Sequence, residues 1–324
     1  MTQPMIGVHL LTEFVFCARA GLCTRDTDPE EERPAPANLN FLPDWDEREI
    51  EFALHERANR AFRWIAGAVA AMIAAYVLEI LKVDFWPWLA ITVSITCFIV
   101  CGMACWDAAI LITRLLAARR AKPREPDLAG PEEQWVDWWE LRKAGYLPVK
   151  NDAPYVDEGL GLLGRPWRVL RFGSRSIPVF CRDDDGPIRF QHWVRIAAYC
   201  HLLTACEGGE SPFGIVLNRS TRKGIALLID PGKSLAIFHG SLKQARRVIR
   251  NDDDGEWPSA PKATLCYGCP HGKPTLAQEP FSSNGIPLEM ISTVGVDGRN
   301  YHSRCCDRFG EIPPHEKALR LGLC

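Results

Sequence analysis

The stretch FWPWLAITVSITCFIVCGMACW, Phe85 to Trp106, holds 22 residues and no charged side chain. A bilayer core about 30 Å thick is crossed by about 20 helical residues, so this stretch is long enough to span one. An earlier run, WIAGAVAAMIAAYVLEIL from Trp64, is nearly as long and carries only Glu79. The link between them, KVDF, is short, which makes the two helices antiparallel neighbours. Trp64, Trp86, Trp88 and Trp106 stand at the ends of the runs, where amphipathic rings sit at the headgroup level. Arg57, Arg60 and Arg63 precede the first run. Arg114, Arg119, Arg120, Lys122 and Arg124 follow the second, while the link has only Lys82 against Asp84. Positive charge stays on the cytoplasmic side, so the expectation is a bacterial inner-membrane protein with two spans and both termini cytoplasmic. A buried helical pair in a soluble core is the competing reading, and the basic flanks and end tryptophans argue against it. Cys97, Cys101 and Cys105 recur every four residues on one face of the second run, a spacing of small side chains that marks helix packing.

Lys and Arg number 38 against 40 Asp and Glu, so the whole chain exerts no net pull on nucleic acid and any binding face must be local. The 13 cysteines are unevenly spaced and several lie in the apolar runs. A secreted disulfide framework is therefore not expected, and metal binding is the better use for the rest. The opening, MTQPMIGVHLLTEF, lacks a basic n-region and meets Glu13 early, unlike a signal peptide.

Five segments follow from these patterns: N-terminal helices over 1–60, the hairpin over 61–118, a linker with a Trp-rich helix over 119–157, an α/β core over 158–262, and a Cys/His-rich segment over 263–324. In EEQWVDWWELRKAGYLP the acids come first and the bases last, matching a helix macrodipole, with Trp135, Trp138 and Trp139 on one side. From about residue 158, strand patterns (GLLGRPWRVLRFG, SIPVFCR, PFGIVLN, GIALLID to SLAIFHG) alternate with helical ones (IRFQHWVRIAAYCHLLTAC, SLKQARRVIRN). Interleaving of this kind predicts an α/β core.

Several pieces come in a telling order. LTEFVFCARA contains Phe16, Cys17 and Arg19; EFALHERANR contains His55 and Glu56; then come LGRPWRVL, IPVFCR, RIAAYCHLL with Tyr199, and ATLCYGCPHG. This series resembles the RecB-like, CRISPR-associated exonuclease family (the fourth Cas family) of the PD-(D/E)XK nucleases. The resemblance covers roughly 8–58 and 158–272, with the membrane hairpin inserted between. It implies a restriction-endonuclease-like core and a context in antiphage or mobile-element defence.

The resemblance also marks departures. Family members hold a divalent metal with carboxylates and use a lysine to position or activate water. Here the aspartate position holds Trp167, or Pro166 with a one-residue slip, and the glutamate position holds Phe180. The lysine position holds Arg182, which stays protonated, and the glutamine position holds Arg195. Only His55 survives. Aromatic rings supply no oxygen donors, so Mg²⁺ or Mn²⁺ is not expected there. Asp183, Asp184 and Asp185 follow the strand and are the candidate relocated acids, though three aspartates before Gly-Pro also read as a solvated turn. Arg182 and Arg195 are the candidate nucleic-acid contacts, or else partners of those aspartates.

Cys266 and Cys269 form a C-x-x-C in a Gly/Pro loop, and His302 and Cys305 repeat that spacing, matching a tetrahedral zinc site. His271, Cys306 and His315 are alternates. By the resemblance, Cys17 joins the late cysteines around an iron–sulfur cluster. Reduced cysteines without metal are the third reading. Together these expectations give a membrane-anchored, catalytically inactive nuclease fold that binds nucleic acid or a protein partner. An active metal-dependent DNA nuclease and a membrane scaffold or sensor with a structural metal cluster are the alternatives.

Overall fold

The computed structural model describes residues 5–27, 45–80, 86–182, 186–218, 221–259, 266, 269, 271–272, 275–276, 293–294 and 299–310. In chain order the elements are β1 (Ile6–Gly7), α1 (Val8–Phe16), α2 (Ala18–Thr27), α3 (Glu47–Ile80), α4 (Trp86–Arg120), β2 (Glu133–Asp137) and α5 (Trp138–Lys143). There follow β3 (Leu147–Val149), β4 (Tyr155–Asp157), β5 (Leu162–Gly164), β6 (Arg168–Phe172), β7 (Arg175–Arg182), α6 (Phe190–Glu207), β8 (Phe213–Asn218), β9 (Lys223–Leu228) and α7 (Lys233–Asp253). Three short strands, β10 (Thr275–Leu276), β11 (Thr293–Val294) and β12 (Asn300–His302), precede α8 (Arg304–Phe309). The chain divides into two compact units. The first comprises Met1–Phe41, Pro126–Val136 and Tyr146–Cys324; the second comprises Leu42–Glu125 and Asp137–Gly145.

The first unit is mixed α/β. Its main sheet has six strands in the order β2-β9-β8-β7-β6-β3. The pairs β3–β6, β6–β7 and β8–β9 are antiparallel, while β7–β8 is parallel. A parallel pair needs a crossover, and α6 supplies it between β7 and β8. All six residues of β8, FGIVLN, are buried, as befits a central strand covered on both faces. Helix α6 lies close on this strand: a Cβ at Gly214 would come within 2.5 Å of Ile196. Gly208 ends α6 in the left-handed conformation, φ 73°, which its missing Cβ permits. The core gathers Ile6, Leu11, Leu22, Tyr199, Leu202 and Phe238 from β1, α1, α2, α6 and α7. A second sheet runs β1-β5-β4 and a third β10-β12-β11.

Two expected elements take another form. SLAIFHG, expected as strand, is the start of α7. Ser234, Phe238, Leu242, Ala245 and Ile249 are buried at steps of three and four, a helical period that overrides the local β-like run. The Trp-rich segment is a helix only over Trp138–Lys143; Glu133–Asp137 is an edge strand instead. Its tryptophans consequently separate, with Trp138 and Trp139 buried and Trp135 72% exposed. Asp137 caps α5 by accepting the Trp139 N–H at 2.8 Å.

In the second unit α3 and α4 pack as an antiparallel hairpin. Arg119, one residue from the end of α4, pairs with Glu47 at 3.3 Å and with Glu51, both in the first turns of α3. Lys143 of α5 reaches Glu47 at 3.6 Å. Among the described residues one helix, Ile91–Arg120, is long and apolar enough to cross a membrane. Large apolar side chains along the hairpin lie uncovered, Phe98 at 82% exposure and Ile73, Tyr76, Met103 and Trp106 with it.

Candidate functional site

The sheet brings together part of the set marked by the resemblance. The β6–β7 pairing ends at Arg168 opposite Val179, so Trp167 stands just before it and Phe180 just beyond it. Over the Phe180 ring lies the Arg195 guanidinium of α6, 4.2 Å from the centroid. Arg195 Nη2 also donates to Thr12 Oγ1 at 2.6 Å, and the Thr12 hydroxyl lies 2.6 Å from the His9 carbonyl. His9, Thr12 and Glu13 stand at i, i+3 and i+4, so α1 turns all three to one face. Burial pushes the Glu13 carboxyl above its ordinary range, against the opposing pull of Arg195 and His9. His192, one turn before Arg195, has its ring 6.2 Å from Phe180.

The rest of the set is dispersed. Arg182 donates to the carbonyls of Gly186 and Pro187. The Arg168 guanidinium stacks 4.9 Å above Trp167. His55 is exposed on α3 and belongs to the second unit. Asp183, Asp184 and Asp185 lie outside the described residues. Glu13, Thr12 and His9 were not singled out from sequence, although polar residues three and four apart in the apolar run VHLLTEFVF are a readable sign of a helix face aimed at a pocket.

A second centre forms where α2, α8 and the C-x-x-C meet. Cys17 is the extended break between α1 and α2, φ −161°. Burial pushes its thiol up, while the backbone N–H groups of Ala20 and Arg19 pull it down. Cys269 is built alike: burial raises its thiol and the N–H groups of Gly272 and His271 oppose. Each sulfur thus faces two peptide donors, which suit a thiolate. Cys269 N–H bonds the Cys266 carbonyl at 3.1 Å, Gly272 N–H the Cys269 carbonyl at 3.1 Å, and Cys305 N–H the His271 carbonyl at 3.0 Å. A side chain at Gly272 would press on the Cys266 carbonyl, 3.0 Å from its Cβ. Cys305 raises Cys17 and Cys269 electrostatically, Cys17 also raises Cys269, and Cys305 shares a thiol hydrogen bond with Cys23, which drives its pKa far up.

The residues expected as ligands from spacing lie as follows. His302 Nε2 stands 3.7 Å from Asp307, and His271 Nε2 meets Thr24 Oγ1 at 2.8 Å. The Cys306 side chain and His315 lie outside the described residues. Cys17 joins the late cysteines, and Cys23, overlooked in the sequence, joins with it. Among the described residues no three Cys, His, Asp or Glu side chains stand as a ready-made metal group.

The segment is held firmly. Phe309 of α8 is buried under the Arg19 guanidinium at 4.8 Å. Arg308 pairs with Asp26 at 2.5 Å and with Asp252 at 3.0 Å, and Arg25 pairs with Asp253 at 2.9 Å. No protein-family model matches this sequence, and no curated protein is similar to it.

Proposed function

We propose that this chain is a membrane-anchored protein of nuclease-like fold whose catalytic pocket is filled, serving as a nucleic-acid- or partner-binding subunit. The order α1, hairpin β6–β7, crossover α6 and parallel strand β8 supports a restriction-endonuclease-like core. One observation supports a lost catalytic site: the Arg195 guanidinium lies on Phe180, which by the resemblance occupies the position of a metal-binding glutamate. A fixed positive charge repels Mg²⁺, and rings at 167 and 180 offer it no oxygen. Among the described residues Glu13 is the carboxyl found with this group, and its raised pKa makes it a poorer ligand.

The uncovered apolar flanks of α3 and α4 favour two spans, and the arginines outside both ends favour cytoplasmic termini. Counted along each helix, Trp64 stands 13 residues from Glu51 and Trp106 stands 13 from Arg119. Both rings therefore lie about 20 Å from the ion pair, at one level, as an interfacial belt requires.

Were a structural Zn²⁺ ion or an iron–sulfur cluster bound, Cys17, Cys266, Cys269 and Cys305 would hold it only once their side chains draw together, since no three of them now form such a group. Peptide N–H groups aimed at the sulfurs fit that role, and the group would cross-link α8 to the α1–α2 break.

The test is incubation of the purified protein with labelled single- and double-stranded DNA and Mn²⁺. Intact DNA that is nevertheless retained on a filter fits the proposal. Cleavage that Asp183→Ala or Asp184→Ala abolishes would make the chain an active nuclease instead.

A further inference from the structure

Both arginines first nominated for nucleic acid are half-buried and bonded within the protein, Arg182 to two carbonyls of its own loop and Arg195 to Thr12 and Phe180. The outer face of α7 offers other cations. Lys243, Arg247 and Arg250 are exposed at i, i+4 and i+7, one row about 10 Å long. Among the described residues no hydrogen bond or ion pair engages any of these three side chains.

Beside this row runs a groove between α1 and α7, lined by Phe14, Phe190, Ser241, Gln244 and Val248. Phe190 is 56% exposed, and Arg189 beside it is exposed as well. Gln244 lines the groove and lies one turn from Arg247, so the row and the groove share a border.

We infer that this face of α7 binds single-stranded nucleic acid, with backbone phosphates on Lys243, Arg247 and Arg250 and a base stacked on Phe190. The inference rests on the binding role proposed above and gives it an address. A cationic row tracking the backbone beside an exposed ring is what sequence-tolerant single-strand binding uses. Ser241 and Gln244 add a hydroxyl and an amide within reach of base edges. An anionic lipid surface would use the charges but leave the ring and the amide without a role.

The experiment is fluorescence anisotropy of labelled oligothymidine with the full chain in zwitterionic nanodiscs, across a salt series. Wild type binds with log K falling by about 0.7 per neutralised phosphate for each unit of log salt. The variant Lys243→Gln/Arg247→Gln/Arg250→Gln binds at least about tenfold more weakly, with that slope reduced by about 2. Phe190→Ala weakens binding about tenfold and leaves the slope alone. Arg182→Ala behaves as wild type. All substituted α7 residues are exposed, so matched thermal melts confirm that folding is intact. Wild-type affinity in the triple variant, or loss on Arg182→Ala instead, overturns the assignment to α7 while leaving the binding role standing. Failure of wild type to bind any nucleic acid at low salt removes the binding role itself. Capture of anionic vesicles by the same three side chains, without oligonucleotide binding, reassigns the face to a membrane surface.

Discussion

A guanidinium stacked on a phenyl ring is worth ~0.5–1 kcal/mol when exposed and about 2 kcal/mol when desolvated. Arg195 adds a short hydrogen bond to Thr12 and the attraction of Glu13, so this cluster is held together by the protein's own groups. Glu13 gives this arrangement a pH signature. Burial keeps its carboxyl protonated to higher pH in the folded state than in the unfolded one. Such a group favours folding fully below the unfolded pKa and loses that contribution as pH rises through the folded value. At pH near 7 the buried carboxylate therefore costs stability. Glu13→Gln should raise the urea midpoint near pH 7 and leave it unchanged near pH 4; a lower midpoint at neutral pH would mean that pairing with Arg195 outweighs burial. Phe180 and Arg195 fall in a strand and a helix that their sequence patterns predicted, while Trp167 stands just before β6. Glu13 was not legible, since it reaches Arg195 of α6 only through tertiary packing.

Among the elements, the hairpin was the plainest in sequence because twenty-odd apolar residues need no partner to be recognised. Strand β8 and helix α6 were also legible, one as a continuous apolar run and the other as a mixed amphipathic stretch. The start of α7 was misread because SLAIF looks like a strand until its period is followed through Ile249. Trp135 was misplaced because adjacent tryptophans hide the change from strand to helix at Asp137. A charge at Phe98 tests the hairpin. On a soluble protein Phe98→Arg would be nearly neutral, since the ring touches little. At the middle of a span it costs about 2.5–3.5 kcal/mol. Carbonate extraction should move the variant, but not wild type, out of the membrane pellet; equal retention would place Phe98 outside the bilayer core.

At the scale of the whole chain, distant segments close one unit. Residues before the hairpin supply β1, α1 and α2, and the last described helix returns to them through Phe309, Arg308 and Cys305. Sequence spacing could pair Cys266 with Cys269 but not choose between His302 and Cys17, because the choice depends on where α8 docks. If the cysteines hold a metal, elemental analysis should find zinc or iron bound, and Cys269→Ser should lower both metal content and melting temperature. Unchanged values in that variant would leave the thiols as packing groups. The central claim is that a cation of the protein's own has replaced the divalent ion. Electron paramagnetic resonance of Mn²⁺ titrated into the wild-type protein tests it most directly. The filled pocket predicts a signal indistinguishable from free Mn²⁺ at equimolar protein; a stoichiometric loss of that signal, reversed by excess Mg²⁺, would contradict it.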